Sequence, residues 1–384
     1  MTVMTAAAPP AISAWRPTIF LPGMHDLPAS AALVALRRDP SIRVCDTLLA
    51  QIDDLLQSRH PAMLDSERAV RARQLEDALS SWVHYPWSNI LLRTLPPAEL
   101  REARLARNRD KITAAEQACL AGADIAIVGL SVGRSILRTL VMEGIGGRFR
   151  LADGDTLALS NLNRLPATLA DLGQSKAVLA ARELFEIDPY LDIEIFPDGV
   201  DPRALDGFLC HGGRLPDLVI EECDSIAVKI QLRRRLRELG IPVLMESSIR
   251  GTLDIERFDH EPMRPLLHGL LEDIDPGAVI DLPAVKALIA RILPHMTSRM
   301  RVSIDQVGST LRSWPQLASE IALGAATVTA AARAILLGQP IRSGRYIIDL
   351  DHIVRSPMPL VSSRTPVYLD PFHVITESGE RVCD

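Results

Sequence analysis

A glycine-rich turn and an acidic residue at a fixed distance beyond it are the first residues here that suggest chemistry. The turn, Gly129-Leu-Ser-Val-Gly133, lies within "DIAIVGLSVGRS", and Asp153 follows Gly133 by twenty residues. Glycines let the backbone approach a phosphate, and a helix that starts after such a turn offers free amide groups and a positive dipole end. In nucleotide-binding βαβ units, an acid at this distance binds the ribose hydroxyls. The spacing therefore indicates a nucleotide site.

The same five letters also spell Gly-x-Ser-x-Gly, the nucleophile elbow of many serine hydrolases, with Ser131 as the nucleophile. An elbow needs a glycine-rich oxyanion loop upstream, then an acid and a histidine downstream. No such loop precedes Asp124, and nothing local marks His352 or His373 as the histidine. The sequence therefore favours the phosphate-binding interpretation over the hydrolase.

The residues beyond Asp153 indicate whether the bound nucleotide is a triphosphate or a dinucleotide. Asn161, Asn163 and Arg164 follow it closely, and Lys176 opens the next helical segment. The planar fork of arginine pairs with phosphate oxygens, and lysine adds a compact charge. Each residue alone would be an ordinary surface group, but the set in this order favours a site that holds a triphosphate.

Short apolar strands alternate with helical segments from residue 124 to 250 and would position these side chains. The strands are "DIAIVG", "RFRLAD", "DIEIFP", "DLVIEE" and "PVLMES". This alternation predicts an α/β, Rossmann-like fold with a mostly parallel sheet and helices on both faces. Gly129, Asp153 and Asp224 should meet at the carboxyl ends of its strands, where such sheets bind ligands. Asp224 could alternatively cap the following helix.

These motifs resemble those of the ThiF/MoeB/HesA family, the bacterial relatives of the ubiquitin-activating enzymes. The family signature runs from a glycine loop through Asp-x-Asp and Ser-Asn-Leu-x-Arg to Gly-x-x-Lys. Its counterparts here are Gly129–Gly133, Asp153 with Asp155, Ser160–Arg164 and Gly173–Lys176. "DLVIEECDS" resembles the next strand and places Asp224 at the aspartate of the family, and "Arg-Asn-Arg" at 107–109 resembles its N-terminal arginine motif.

The resemblance implies an enzyme that binds Mg-ATP and attaches AMP to a carboxylate, with release of pyrophosphate. It implies that Asp153 grips the ribose, that Asp224 holds Mg²⁺, and that Arg164 and Lys176 stabilise phosphate charge. Arg109 would reach the nucleotide of a second subunit in a homodimer. The implied nucleotide-binding set is Gly129, Ser131, Gly133, Asp153, Asp155, Asn161, Asn163, Arg164 and Lys176.

The sequence departs from the family pattern at its cysteines. The two Cys-x-x-Cys pairs that hold zinc in the family are absent, so we expect no zinc. Cys223 is interpreted as a packed small hydrophobe and Cys210 as an inert loop residue. An acyl-adenylate consumed by a non-cysteine nucleophile therefore fits better than an enzyme-bound thioester.

The domain organisation suggests where the substrate is recognised. We predict a smaller N-terminal α+β domain at 1–104 and an adenylation domain at 105–384, with an excursion at about 262–314. Family relatives that modify ribosomal peptides carry an added N-terminal peptide-binding domain. The resemblance thus favours a peptide or small-protein carboxylate as substrate. Two alternatives stay open: an NAD(P)-dependent oxidoreductase that uses the same βαβ unit, and a non-catalytic scaffold of the same fold.

Composition restricts the partners. The chain has 384 residues and a net charge of −6, which argues against a general nucleic-acid binder. No uninterrupted apolar run approaches the roughly 18 residues of a membrane span. The five cysteines are scattered, and the N-terminus lacks the pattern of a secretory signal. We therefore expect a cytoplasmic protein without nucleic-acid or membrane partners. The basic helix "KIQLRRRLREL" is interpreted as a solvated face.

Overall fold

The computed structural model describes residues 15–23, 27–275 and 281–355, with only the backbone given for 27–29. His373 and Cys383 lie outside these residues. The residues up to Ile348 belong to one compact unit, and a second unit begins at Asp349. The boundary expected near residue 104 stays a prediction.

The N-terminal part forms a sheet of four strands with four helices. The strands pair in the order β1-β3-β4-β2, and only β2 and β4 run parallel. Leu48, Ile52 and Leu55 are fully buried, as the helical period of "DTLLAQIDDLLQ" predicts. Their elements are β1 (Thr18–Phe20), α1 (Leu27–Arg38), β2 (Arg43–Asp46), α2 (Leu48–Arg59), α3 (Asp65–Leu75), β3 (Ser81–Tyr85), β4 (Ile90–Thr94) and α4 (Pro97–Arg104).

One local prediction for this part was wrong. The prolines from "WVHYPW" to "LPPAEL" predict a proline-punctuated connection, but the structure has the antiparallel hairpin of β3 and β4 there. Side chains of β3 alternate between buried and half-buried, the pattern of a strand with one packed face. Pro86 lies in the turn between the two strands, and Pro97, after the hairpin, is the first residue of α4.

The second sheet has seven strands in the order β11-β10-β9-β8-β5-β6-β7. The five strands from β9 to β7 in this order are parallel, and β10 and β11 are antiparallel additions at one edge. This confirms the predicted mostly parallel α/β fold. The strands are β5 (Asp124–Val128), β6 (Arg148–Ala152), β7 (Asp192–Phe196), β8 (Leu218–Glu221), β9 (Val243–Ser247), β10 (Thr252–Glu256) and β11 (Gly344–Ile347).

Helices cover both faces of this sheet, and all five residues of β5 are buried between them. Side chains of α6, α7 and α12 share one apolar core with the sheet, and those of α8, α9 and α10 share the other. The helices of this part are α5 (Ala114–Ala121), α6 (Val132–Met142), α7 (Lys176–Ile187), α8 (Leu205–Leu209), α9 (Ile226–Leu239), α10 (Leu282–Ile292), α11 (Ser298–Gln306) and α12 (Ala318–Leu336). Helix α13 (Leu350–Arg355) belongs to the second unit.

Helix α12 is closer in length and apolar composition to a membrane span than the sequence predicts for any segment. It has 19 residues and is long and apolar enough to cross a membrane, although no run of that length was expected. Its residues include Ile321, Ala325 and Val328, which are buried in the core shared with α6 and α7. A helix in a protein core can have the same length and apolar composition as a membrane span. The absence of a membrane partner stays a prediction.

Candidate functional site

The glycine turn is pressed onto the end of the neighbouring strand. Gly129 has φ +90°, and a methyl group on its Cα would lie 2.5 Å from the main-chain carbon and oxygen of Glu222, just beyond β8. A methyl group on Gly133 would lie 2.9 Å from Cγ2 of Ile127. Close internal packing therefore requires both glycines, independently of any phosphate.

Asp153, at the end of β6, ties this turn to the sheet. Its carboxylate accepts hydrogen bonds from the amide of Leu130 at 2.7 Å and from the amide of Asp155 at 2.8 Å. Burial raises the pKa of Asp153, while the charge of Lys176 and the two amide bonds oppose that rise. The motif spacing gives no sign of this structural role. A ribose contact stays a prediction, and each carboxylate oxygen retains a second lone pair for it.

Lys176 is buried at the start of α7 and brings a cation to the end of β6. Its Nζ donates to Oδ2 of Asp155 at 2.7 Å and lies 3.9 Å from Oδ1 of Asp153. Asp155 is exposed, so this partner can move away into water. The structure thus places Lys176, Asp153 and Asp155 together, as the motif spacing predicts.

Arg164 reaches the glycine turn from the loop after β6. Its guanidinium donates to Oγ of Ser131 at 3.3 Å and to Oδ1 of Asn163 at 2.9 Å. Burial lowers the pKa of Arg164, and the nearby negative charge of Asp224 opposes this. The Nε–H of Arg164 is buried and has no hydrogen-bond partner in the described part of the chain. A buried donor without a partner fits a site that receives an anion.

The two asparagines have structural contacts in the same loop. Oδ1 of Asn161 accepts the amide of Ala158 at 2.9 Å and closes a turn. Nδ2 of Asn163 donates to the carbonyl of Gln316 at 2.9 Å, just before α12. Both contacts shape the loop that carries Arg164. Contacts to phosphate stay predictions for both residues.

Asp224 is exposed just beyond β8, and its charge acts on Arg164. The alternative role as helix cap is wrong, because Ser225 is the N-cap of α9 and accepts the amide of Val228. The structure thus leaves Asp224 without that role. In residues 15–23, 27–275 and 281–355, no group of three or more His, Cys, Asp or Glu side chains could hold a metal. A single exposed carboxylate still suits Mg²⁺ that arrives with a nucleotide, since Mg²⁺ keeps waters and phosphates as ligands.

Arg109 is not joined to the other predicted residues. It is exposed, and no hydrogen bond or ion pair links it to the glycine turn within the described ranges. The hydrogen bond from Arg59 is the main cause that lowers the pKa of Glu102, and the charge of Arg109 lowers it further. Asn108 anchors the motif by donating to Gln117 and to the carbonyl of Glu143. A role for Arg109 in a second subunit stays a prediction.

A buried ion network lies beneath Asp224 and was not foreseen. Glu221 pairs with Lys229 at 2.8 Å and with Arg233 at 2.5 Å, and Arg233 also pairs with Glu256. Burial opposes ionisation of Glu221, but the two cations lower its pKa to about 2. The solvated-face interpretation of "KIQLRRRLREL" is therefore wrong for Lys229 and Arg233, which share a buried helix face at i and i+4. Their spacing of four residues was the signal in the sequence for a shared helix face.

Cys223 touches the same network. Its thiol donates to Oε1 of Glu221 at 3.1 Å. Burial raises the pKa of Cys223, and the charge of Glu221 raises it further. A protonated thiol is a poor nucleophile, so this environment does not favour thioester chemistry.

Two further carboxyl groups stand beside the glycine turn. Oε1 of Glu222 accepts the amide of Glu246 at 2.7 Å, and neither oxygen of Glu246 has a hydrogen-bond partner among the described residues. Burial, then the charge of Glu320, raises the pKa of Glu246 to about 8. The carboxyl group packs on Gly324 of α12, where any larger side chain would collide with it.

With this geometry established, comparison with known proteins identifies the family. A family model described as "ThiF family" matches residues 105–331, more than half of the chain. The chain belongs to the ThiF family. It is 41% identical over 336 residues to Uncharacterized protein MT1398 of Mycobacterium tuberculosis, a match that covers 84% of this chain and 45% of that protein. The chain thus spans about half the length of this curated relative.

Other ThiF relatives have named activities. Molybdopterin-synthase adenylyltransferase of Haemophilus influenzae is 30% identical over 146 residues, which cover 38% of this chain and 58% of that protein. Among solved structures, tRNA N6-threonylcarbamoyladenosine dehydratase of Escherichia coli is 19% identical, with a TM-score of 0.45. That alignment covers 64% of this chain and 98% of the dehydratase.

Proposed function

We propose that this chain is an ATP-dependent adenylyltransferase that activates a carboxylate as an acyl-adenylate. The observation that carries the proposal is the buried Nε–H of Arg164, which has no protein partner in the described residues and stands beside Ser131 in the glycine turn. Lys176 supplies a second cation at the same edge of the sheet. Membership in the ThiF family and similarity to a named adenylyltransferase support the same reaction.

The proposed chemistry uses these groups to stabilise charge. A carboxylate oxygen of the substrate attacks the α-phosphorus of ATP, an O–P bond forms, and the bond to the β-phosphate oxygen breaks to release pyrophosphate. Negative charge grows on the phosphate oxygens as this happens, and Arg164 and Lys176 would stabilise it. Mg²⁺, held by Asp224 when bound, would neutralise phosphate charge. Asp153 would hold the ribose, so positioning supplies most of the catalysis.

The remaining assignments extend this proposal to partners. We infer a peptide or small-protein carboxylate as substrate, recognised by residues 1–104. We also infer a homodimer in which Arg109 of a second copy reaches the nucleotide. The protonated thiol of Cys223 supports an adenylate that is consumed by a non-cysteine nucleophile. The cytoplasmic location and the absence of nucleic-acid and zinc partners stay predictions from the sequence.

ATP–pyrophosphate exchange with a panel of carboxylic acids, free peptides and small proteins tests the reaction directly. We expect exchange only with an accepted carboxylate, and its loss in Arg164→Ala, Lys176→Ala and Asp224→Ala with the fold intact. Ser131→Ala distinguishes the adenylyltransferase from the hydrolase interpretation. In the described chain, the Ser131 hydroxyl contacts Arg164 rather than a histidine. Loss of activity in Ser131→Ala with ATP binding intact would restore that interpretation.

A further inference from the structure

A buried arginine follows the glycine turn, and the chemistry proposed above does not use it. Arg134 lies in the first turn of α6, one residue beyond Gly133, and only 7% of its side chain is exposed. The dipole at the start of a helix disfavours a cation, and burial of a charge is costly unless the charge is paired. Contacts with other residues must therefore offset the cost of a buried cation at this position.

The guanidinium of Arg134 joins three parts of the site. Its Nε pairs with Oε2 of Glu183 at 2.5 Å, and its Nη2 donates to the carbonyl of Pro166 at 3.1 Å. Glu183 lies in α7, the helix that begins with Lys176. Pro166 lies two residues beyond Arg164. One side chain thus links the helix after the glycine turn, the helix of Lys176 and the loop of Arg164.

Besides the bond from Arg134, the loop of Arg164 is held by apolar packing and by its base: Leu162, Leu165 and Ala167 pack with Leu157 and with Leu179 of α7. Its base is closed by the pairing of Leu157 with Gly173 and Gln174. Between these ends, Asn163 bonds to Gln316. Among the described residues, the guanidinium of Arg164 donates one hydrogen bond outside its loop, the 3.3 Å contact with Ser131.

We infer that Arg134 is a positioning residue for the reaction: by holding the carbonyl of Pro166, it keeps the guanidinium of Arg164 at the glycine turn. This rests on the proposed function for what Arg164 binds, but not for the tie itself. Arginine is required because its planar fork spans Glu183 and Pro166 together, whereas lysine offers a single point of charge.

The helix also provides a matched control. Arg138 lies one turn further along α6 and contacts the same Glu183 at 3.5 Å, but 47% of its side chain is exposed. Within the part of the chain that the structure describes, it makes no hydrogen bond to the loop. Arg134→Lys keeps the charge beside Glu183 and removes the bond to Pro166. Arg138→Met removes a positive charge beside the same carboxylate and leaves the bond between Arg134 and Pro166 in place.

The experiment combines hydrogen exchange with nucleotide affinity, both on the full chain. In Arg134→Lys, we expect faster amide exchange at 158–168 with α6 and α7 unchanged. We also expect roughly five- to tenfold weaker ATP binding by calorimetry, the effect of one lost hydrogen bond. Arg138→Met should alter neither measurement. Because Arg134 acts through Arg164, the double variant Arg134→Lys/Arg164→Ala should bind ATP no more weakly than Arg164→Ala alone.

Unchanged exchange at 158–168 in Arg134→Lys, or additive losses of ATP affinity in the double variant, would overturn the inference. If the wild-type chain binds no ATP, the proposed function fails, whereas the exchange comparison still decides the role of Arg134. Should Arg134→Lys not fold, Glu183→Gln is measured in the same way. It weakens the anchor of Arg134 and should also speed exchange at 158–168, and unchanged exchange there would again refute the inference.

Discussion

Alanine at Gly129 should destabilise the chain more than alanine at Gly173, although both glycines have positive φ. The values are +90° and +84°, so either alanine meets similar backbone strain, about 1–2 kcal/mol. A methyl group on Gly173 has no atom within 4 Å. On Gly129 it would lie 2.5 Å from the main-chain carbon and oxygen of Glu222.

The collision at Gly129 adds a second cost because main-chain atoms cannot rotate away. Forcing extra volume into a packed site costs about 1–3 kcal/mol, so Gly129→Ala should lose about 2–5 kcal/mol in total. Urea unfolding of both variants measures the difference, provided that the denaturant slope is unchanged. Because the described residues form two separate sheets, coincidence of two spectroscopic probes should be checked first.

The two variants are each other's control, since they share the strain and differ in the contact. Free energies of unfolding that agree within about 0.5 kcal/mol would refute the reasoning, because surface changes without a contact fall in that range. The turn at Gly129 would then not lie against the end of β8.

Three further predictions concern single side chains. Asp224→Asn should leave the urea unfolding midpoint unchanged but abolish pyrophosphate exchange. Ser225→Ala should lower the free energy of unfolding by about 1 kcal/mol, since Ser225 caps α9. Equal stability losses in the two variants would contradict this. Burial and the charge of Glu320 raise the pKa of Glu246 from 4.5 to about 8, so the native state retains a proton that the unfolded chain has lost between these pH values. Stability should therefore fall as pH rises through that window, and Glu246→Gln should show a smaller fall in urea unfolding at pH 5 and pH 8.5. Cys223→Ala should retain pyrophosphate exchange, and mass spectrometry of the wild type should find no acyl adduct on Cys223; an adduct there would overturn the non-cysteine route.

The sequence predicted the site best where chain order alone decides geometry. Parallel strands put their carboxyl ends at one edge, so the apolar segments before Gly129, Asp153 and Asp224 were enough to bring these residues near one another. The three-residue spacing of Thr113 and Glu116 is a local signal as well: it predicts a capping box, and the structure has one at the start of α5.

Contacts between distant segments could not be obtained in this way. The bond from the amide of Leu130 to Asp153 depends on how the turn folds back onto β6. The burial of Lys229 and Arg233 depends on Glu221 and Glu256, which lie on two different strands. A helix with three consecutive arginines looks solvated until those partners are known, because burial of charge is favourable only when it is paired.

Titration calorimetry with Mg-ATP and with NAD⁺ tests the central claim most directly. We predict that the wild-type chain binds ATP and not NAD⁺, and that Arg164→Ala weakens ATP binding by at least about tenfold, the loss of a charge-assisted hydrogen bond. Binding of NAD⁺ without ATP, or ATP binding that is unchanged in Arg164→Ala, would contradict the account.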